Sequence, residues 1–223
     1  KELGQHEAAV KCYKKALDIK PDFADTYNNL GITHMNLGQP DKAIKYYEKA
    51  LDINPDFATA HNTLGVARMN LGQLDDAINC YKKALVIDPD YAEAHYNLGM
   101  TVQTLGQLDE ALESYSHANM LKPDLDYILG TVLNTKMHLC IWDDLPNYLI
   151  ELKNKINRKK KIIEPFPLLS LIDDSEIQLK ATEIFAKQKF PQNIGLSKIE
   201  RKPKNSKIRI GYFSADFKEH PVA

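Results

Sequence analysis

The chain has 223 residues, of which 43% are hydrophobic and 26% are charged, and its formal net charge is -1. These values are typical of a soluble globular protein of one or two domains. The near-zero charge gives no general attraction to nucleic acid or to an anionic membrane, and no apolar run approaches the roughly 18 residues of a membrane helix. We therefore expect neither a nucleic-acid partner nor a membrane partner.

Cysteine usage indicates the compartment. Cys12, Cys80 and Cys140 are too few for a disulfide framework, so we predict a reducing, cytoplasmic location. The seven histidines show no metal-ligand spacing, and we expect no metal site. The opening residues, "KELGQHEAAV", already belong to the repeat described next and contain no initiator Met, so we expect the natural N-terminus to lie further upstream.

The first 124 residues repeat with a period of 34. Four prolines keep this spacing, and so do four glycines, each preceded by Leu and followed by Gln: Pro21, Pro55, Pro89, Pro123, Gly4, Gly38, Gly72 and Gly106. This pattern resembles the tetratricopeptide repeat, in which each unit is a helix A, a turn and a helix B. We predict an all-α superhelical solenoid over residues 1–124, with a half unit followed by units at 24–56, 58–90 and 92–124.

Each column of the repeat has a physical role. Glycines in the middle of helix A, at Gly31, Gly65 and Gly99, are predicted to let helix B approach closely. Leu and Tyr columns are expected to fill the space between the helices. The glycine before each helix B supplies the turn, and an aspartate follows where a carboxylate favours the helix dipole.

The A helices are expected to line a concave surface that binds extended partners. Six residues are predicted to face it and to bind peptide: Asn28, Asn29, Asn62, Thr63, Tyr96 and Asn97. Amide side chains offer a donor and an acceptor together, which suits the backbone of an extended protein segment. The alternative is that these amides are solvated or structural. Asp25, Thr59 and Glu93 stand where a carboxylate-binding repeat carries Lys or Arg.

The pattern changes after Pro123. Residues 125–157 are predicted to form divergent capping helices, with Trp142 packed inside them, and residues 158–206 a helical linker region. Within the linker, the basic run 158–161 is interpreted as a solvated helix end rather than a nucleic-acid contact. "EPFPLLSL" is predicted to be an extended connector because it carries two prolines, and "DDSEIQLKATEIFAKQKF" to be a helix.

The last residues, 207–223, read "KIRIGYFSADFKEHPVA". A near-continuous apolar run followed by a polar loop is typical of a strand buried in a parallel sheet, with its loop at the carboxyl edge. An ordinary polar loop accounts for the same residues equally well.

The order of repeats, divergent cap, "PFPLL" connector and closing motif resembles the protein O-GlcNAc transferases, above all their bacterial SPINDLY-like members. Their motif G-Y-x-S-x-D-F-x-x-H-P is matched by Gly211, Tyr212, Ser214, Asp216, Phe217, His220 and Pro221. The resemblance implies that the tail is the first strand of a truncated GT-B (Rossmann-like) catalytic domain.

The same resemblance implies the chemistry. UDP-GlcNAc would be the donor substrate, Ser or Thr of acceptor proteins would receive the sugar, and no metal would be needed. His220 would be the catalytic-site residue near donor and acceptor. The family's asparagine ladder would fall on the column of Asn29, Thr63 and Asn97, where Thr63 departs from the pattern.

We therefore expect the N-terminal part of a protein O-linked N-acetylglucosaminyltransferase, inactive as the 223-residue chain alone, whose repeats bind acceptor proteins. Two alternatives stay open. One is a non-catalytic tetratricopeptide-repeat scaffold, and the other is a relative that uses another nucleotide sugar such as GDP-fucose.

Overall fold

The computed structural model describes residues 2–190, with side chains from residue 4 onward. In this part of the chain every regular element is helical. The helices are α1 (Glu2–Ile19), α2 (Ala24–Asn36), α3 (Pro40–Ile53), α4 (Ala58–Asn70), α5 (Leu74–Ile87), α6 (Ala92–Thr104), α7 (Leu108–Leu121), α8 (Ile128–His138), α9 (Leu145–Asn157), α10 (Pro165–Leu171) and α11 (Ser175–Lys189). None of these helices is both long and apolar enough to cross a membrane.

Helices α2–α7 form three helical hairpins, α2–α3, α4–α5 and α6–α7. Neighbouring hairpins pack through α3 on α4 and α5 on α6, and the A helices α2, α4 and α6 also contact one another in sequence. The predicted all-α solenoid is confirmed for this region. Helix α1 occupies the place of a helix B and packs against α2.

The turn between helices A and B explains the Leu-Gly-Gln column. Gly38 has a φ of +68°, a left-handed conformation that favours glycine. The Gly38 N–H donates to the Met35 carbonyl and the Gln39 N–H to the His34 carbonyl, each at 2.9 Å. This pair of hydrogen bonds is a Schellman motif, which satisfies the last carbonyls of helix A. Gly72 and Gly106 repeat the conformation.

The Gly and Tyr columns meet inside each hairpin. A Cβ atom added to Gly65 would lie 2.5 Å from Cε1 of the Tyr81 ring, and one added to Gly99 would lie 2.8 Å from Cδ1 of Tyr115. The tyrosines of this column, Tyr47, Tyr81 and Tyr115, are fully buried. The glycine therefore provides the space into which the ring of helix B packs, as the sequence predicted.

Helices α8–α11 cap the stack around a second apolar cluster. Leu133 stands where earlier units have glycine, and it is buried together with Leu152 and Ile156 of α9. Residues 161–164, which we call the crossing segment, run between α9 and α10 over the start of α8. The Tyr127 N–H donates to the Lys161 carbonyl at 2.6 Å, and the Gly130 N–H donates to the Ile162 carbonyl at 2.9 Å.

Two expectations for the cap are wrong. The predicted extended connector is helix α10, because Pro165 and Pro167 fall in its first turn, where a helix needs no N–H donor, and Leu168 is buried. Trp142 does not pack inside the cap. It lies in the turn between α8 and α9, and 52% of its surface is exposed.

Within the described part of the linker, the predicted helix is confirmed. Helix α11 begins after Asp174, whose carboxylate accepts a hydrogen bond from the Ile177 N–H at 3.2 Å. The basic run is a solvated helix end, and two of its lysines form ion pairs: Lys160 with Asp124 at 3.1 Å and Lys161 with Asp126 at 3.0 Å. These pairs tie the end of α9 to the loop before α8.

Candidate functional site

Each A helix presents one stripe of side chains that are not fully buried. In α2 this stripe follows the spacing of a single helix face, and α4 and α6 repeat it one period later. We call the surface made by these three stripes the groove. Its residues are Asp25, Asn29, Ile32, Asn36, Thr59, Thr63, Val66, Asn70, Glu93, Asn97, Met100 and Thr104, all of them half-buried or exposed.

Across the groove the stripes align in rows. Asn29, Thr63 and Asn97 form a polar row, and their side chains are half-buried. Beside it lies an apolar row of Ile32, Val66 and Met100. No Lys or Arg belongs to the three stripes that define the groove. The surface therefore combines amide and hydroxyl groups with apolar side chains, and its only charged members are two carboxylates.

Side chains of the polar row form hydrogen bonds to the preceding repeat. The Thr63 hydroxyl donates to the Asn28 Oδ1 atom at 2.8 Å, and the Asn97 Nδ2 atom donates to the Asn62 Oδ1 atom at 2.9 Å. Both bonds connect residues 35 positions apart. Each of these two hydrogen bonds thus links a residue of one A helix to the A helix before it.

Asn28 and Asn62 do not face the groove as predicted. Only 4% of the surface of Asn28 and 6% of that of Asn62 is exposed, because both side chains lie beneath the polar row, where they accept these hydrogen bonds. Asn62 also donates to the Tyr91 hydroxyl at 3.3 Å. These two amides are placed to support the row, while Asn29, Thr63 and Asn97 lie at the surface.

The three surface members differ in what they can still bind. Within the described residues, the hydrogen bond at Asn29 uses its backbone carbonyl, which accepts from Thr33, and leaves the amide group free. Asn97 uses one of its two N–H groups. The single hydroxyl hydrogen of Thr63 is taken by Asn28, with two backbone carbonyls close by, so Thr63 can only accept.

Tyr96, the sixth predicted peptide-binding residue, is half-buried. Its ring packs on Tyr115 with centroids 5.6 Å apart, and its pKa is raised chiefly by burial. It lies at the end of the groove next to the cap, where it lines a cavity. Peptide binding by any of the six residues stays a prediction.

The carboxylates at the edge of the groove are not equivalent. Glu93 forms an ion pair with Lys122 at 2.6 Å, and hydrogen bonding to that ammonium lowers the pKa of Glu93. Asp25 is exposed. In basic repeats of this kind, Lys or Arg clamps a terminal carboxylate. The corresponding positions here hold Asp25, Thr59 and the ion-paired Glu93, which disfavours an anionic chain end.

The predicted catalytic residue His220 and the predicted strand and loop within 207–223 lie outside the described residues. Between residues 2 and 190, no three His, Cys, Asp or Glu side chains are grouped so that they could hold a metal ion.

Comparisons with known proteins identify the repeats. A family model described as "TPR repeat" matches residues 1–38 and 67–106, and models described as "Tetratricopeptide repeat" match residues 24–57, 46–79 and 92–125. Together they span residues 1–125, more than half of the chain. No curated protein matches.

Solved structures support the same fold. A crystal structure of MamA is 26% identical, has a TM-score of 0.62, and covers 71% of this chain and 92% of its own. A second MamA structure is 23% identical, has a TM-score of 0.56, and covers 86% of this chain and 89% of its own. At these identities the likeness concerns the helical solenoid.

Proposed function

Because the chain belongs to the tetratricopeptide-repeat family, we propose that its groove binds an extended segment of a partner protein through the polar row. The observation that carries this proposal is the ladder of hydrogen bonds between repeats. The bonds from Thr63 to Asn28 and from Asn97 to Asn62 fix two of the three side chains of the row before any partner binds.

Preorganisation of the row's side chains decides whether their hydrogen bonds give a net gain in binding free energy. A net hydrogen bond contributes only about 0.5–1.5 kcal/mol, and immobilising one flexible side chain costs about the same amount. Because Asn97 is already held by Asn62, its free N–H and carbonyl groups meet a peptide backbone without that entropic cost. The row therefore favours an extended chain whose own N–H and carbonyl groups are unpaired.

The apolar row supplies a second contribution. Ile32, Val66 and Met100 lie beside the amides and are at least partly exposed. Side chains that leave the bound backbone on that side would bury apolar surface against them, at about 25 cal/mol per Å². The groove thus suits a segment that carries small apolar and hydroxyl side chains and no clustered acidic residues.

Asn29 offers the cleanest test because its amide makes no hydrogen bond within the described residues. A fluorescein-labelled Ser/Thr/Val peptide, about a dozen residues long, serves as the probe in fluorescence anisotropy. We expect Asn29→Ala combined with Asn97→Ala to weaken binding roughly tenfold, from the loss of two to three hydrogen bonds. Asn79→Ala, an exposed change on α5 outside the groove, is the matched control. Equal binding by the double variant and the control would refute the proposal.

We propose as a second function that the full protein transfers a sugar to the segment held in the groove. Support comes from the sequence motif between Gly211 and Pro221, which follows the repeats, cap and connector in the order of the protein O-GlcNAc transferases. In this proposal His220 orients the acceptor hydroxyl or hydrogen-bonds the donor.

The test uses the protein encoded by the complete gene with radiolabelled UDP-GlcNAc and, in parallel, GDP-fucose. Transfer from either donor to a Ser/Thr peptide, abolished in His220→Ala, would support the enzyme and identify its sugar. No transfer from either donor would leave the interaction scaffold as the function. The 223-residue chain alone is expected to transfer nothing.

A further inference from the structure

A cavity of about 350 Å³ lies where the groove meets the cap. Tyr96 and Met100 of α6, Tyr115 of α7 and Gly130 of α8 form its apolar part, and Glu164 of the crossing segment stands at its edge. This volume lies within the range of ligand-binding cavities, and it matches one large side chain with room for water. Met100 also ends the apolar row, so the cavity continues the groove.

One small residue lets the crossing segment approach the cavity. Gly130 occupies the column that holds Asn28, Asn62 and Tyr96 in the preceding units. Any Cβ atom there would lie 2.7 Å from the Ile162 carbonyl oxygen, so the glycine lets the crossing segment lie against α8. That contact delivers Glu164 to the cavity.

Glu164 is exposed, and it forms no ion pair with any described residue. Its charge affects the pKa of two nearby tyrosines. Burial raises the pKa of Tyr96 and of Tyr127, and the negative charge of Glu164 raises both further. A second cavity, of about 690 Å³, shares Asn134, Glu164 and Pro167 with the first, so the carboxylate is reachable from both.

One cation also lines the cavity. Lys189 lines the cavity from the end of α11, and its ammonium lies 6.0 Å from the centre of the Phe185 ring. It does not approach Glu164 closely enough to form a salt bridge. Glu164 and Lys189 are thus two opposite charges that line one cavity, and they would act on a charged ligand with opposite signs.

We infer that this cavity takes the side chain of an arginine in the segment bound along the groove. The place of the arginine within a bound segment rests on the proposed peptide binding. A guanidinium is planar, stacks on tyrosine faces, lays its alkyl stem along a methionine, and donates paired hydrogen bonds to a carboxylate. Tyr96, Met100 and Glu164 offer these three features within one cavity.

Because Glu164 and Lys189 carry opposite charges, neutralising each one should change arginine binding in opposite directions. The probes are the Ser/Thr/Val peptide with a single arginine placed at each position in turn, and the same set with citrulline, arginine's neutral analogue. We expect the best arginine peptide to bind about tenfold more tightly than its citrulline counterpart. Glu164→Gln should remove that difference, and Lys189→Gln should increase it. Glu113→Gln, an exposed change on α7 away from the cavity, should leave it unchanged.

The result that overturns the inference is equal binding of arginine and citrulline peptides, or tighter binding of a glutamate peptide that Lys189→Gln weakens. If the neutral peptide still binds and Asn29→Ala weakens it, the groove stands without the arginine cavity.

If no peptide binds, the groove proposal fails, and N-acetyl-arginine N-methylamide then tests the cavity alone. A shift of the Met100 methyl signal in NMR spectra, seen in the wild type and absent in Glu164→Gln, would support the cavity. No shift would overturn it.

Discussion

Gly65→Ala tests the packing on which every hairpin depends. The new methyl group would lie 2.5, 2.8 and 2.9 Å from Cε1, Cδ1 and Cζ of the Tyr81 ring. Tyr81 is fully buried, and it is packed with Ala77, Leu98 and Val102 in one apolar cluster. The ring cannot swing into solvent, so either the two helices separate or the ring leaves its preferred rotamer.

Two opposing effects set the magnitude. Overpacking a buried site costs about 1–3 kcal/mol, and three ring atoms in conflict place Gly65→Ala near the upper value. Alanine is about 1 kcal/mol better than glycine inside a helix. We therefore expect a net loss of about 2 kcal/mol, or about 4–8 °C in Tm for a protein of this size.

Thermal unfolding followed by circular dichroism measures the loss, and the Tyr81→Leu background supplies the control. Without the ring, Gly65→Ala should stabilise by about 1 kcal/mol through helix propensity. Gly99→Ala, whose nearest ring atom would be 2.8 Å away, should cost less than Gly65→Ala. A Gly65→Ala protein as stable as the wild type, or one equally destabilised in both backgrounds, would refute this packing argument.

Three further predictions concern the cap and the core. Gly130→Ala should cost about 3–4 kcal/mol in urea unfolding, more than Gly65→Ala, because its methyl group meets backbone atoms of the crossing segment that cannot rotate away. Asp174→Ala should lose about 1 kcal/mol through loss of the helix N-cap, and Asp174→Asn should restore most of it. Burial raises the pKa of Tyr47, Tyr81 and Tyr115. The stability that these neutral side chains contribute is therefore complete below the unfolded pKa of about 10 and is lost as pH rises above it. Tyrosinate absorbance should therefore rise late, together with unfolding, for Tyr47, Tyr81 and Tyr115.

The solenoid could be predicted because its determinants are local and repeated. The Leu-Gly-Gln turn and the Gly–Tyr contact each involve residues within one unit, and each occurs three times at a period of 34. Capping chemistry also acts locally: Pro146 lies in the first turn of α9, and α11, which the sequence predicts as a helix, begins after Asp174.

The errors arise where the answer depends on distant partners. Asn28 and Asn62 occupy an A-helix face, and only the neighbouring unit decides that they accept hydrogen bonds under the row instead of lining it. The two prolines of α10 are compatible with an extended chain, but also with the first turn of a helix, where no N–H donor is needed. The spacing Pro165-x-Pro167, followed by apolar residues, was the signal for a helix that begins there.

The cavity at the cap had no signal in the sequence. Glu164 lies 68 positions after Tyr96, and they line the same cavity only because the crossing segment passes over Gly130. Gly130 departs from the Asn28 and Asn62 column, as Tyr96 does one unit earlier, and neither departure by itself indicates a cavity.

The central claim, that the groove binds the backbone of an extended segment, is tested most directly by changing the backbone alone. Affinities of the wild type should be measured for the Ser/Thr/Val peptide and for the same peptide with alternate amides N-methylated. We predict about tenfold weaker binding of the methylated peptide, and a much smaller difference in the Asn29→Ala and Asn97→Ala double variant. Equal affinity of the wild type for both peptides would contradict the account.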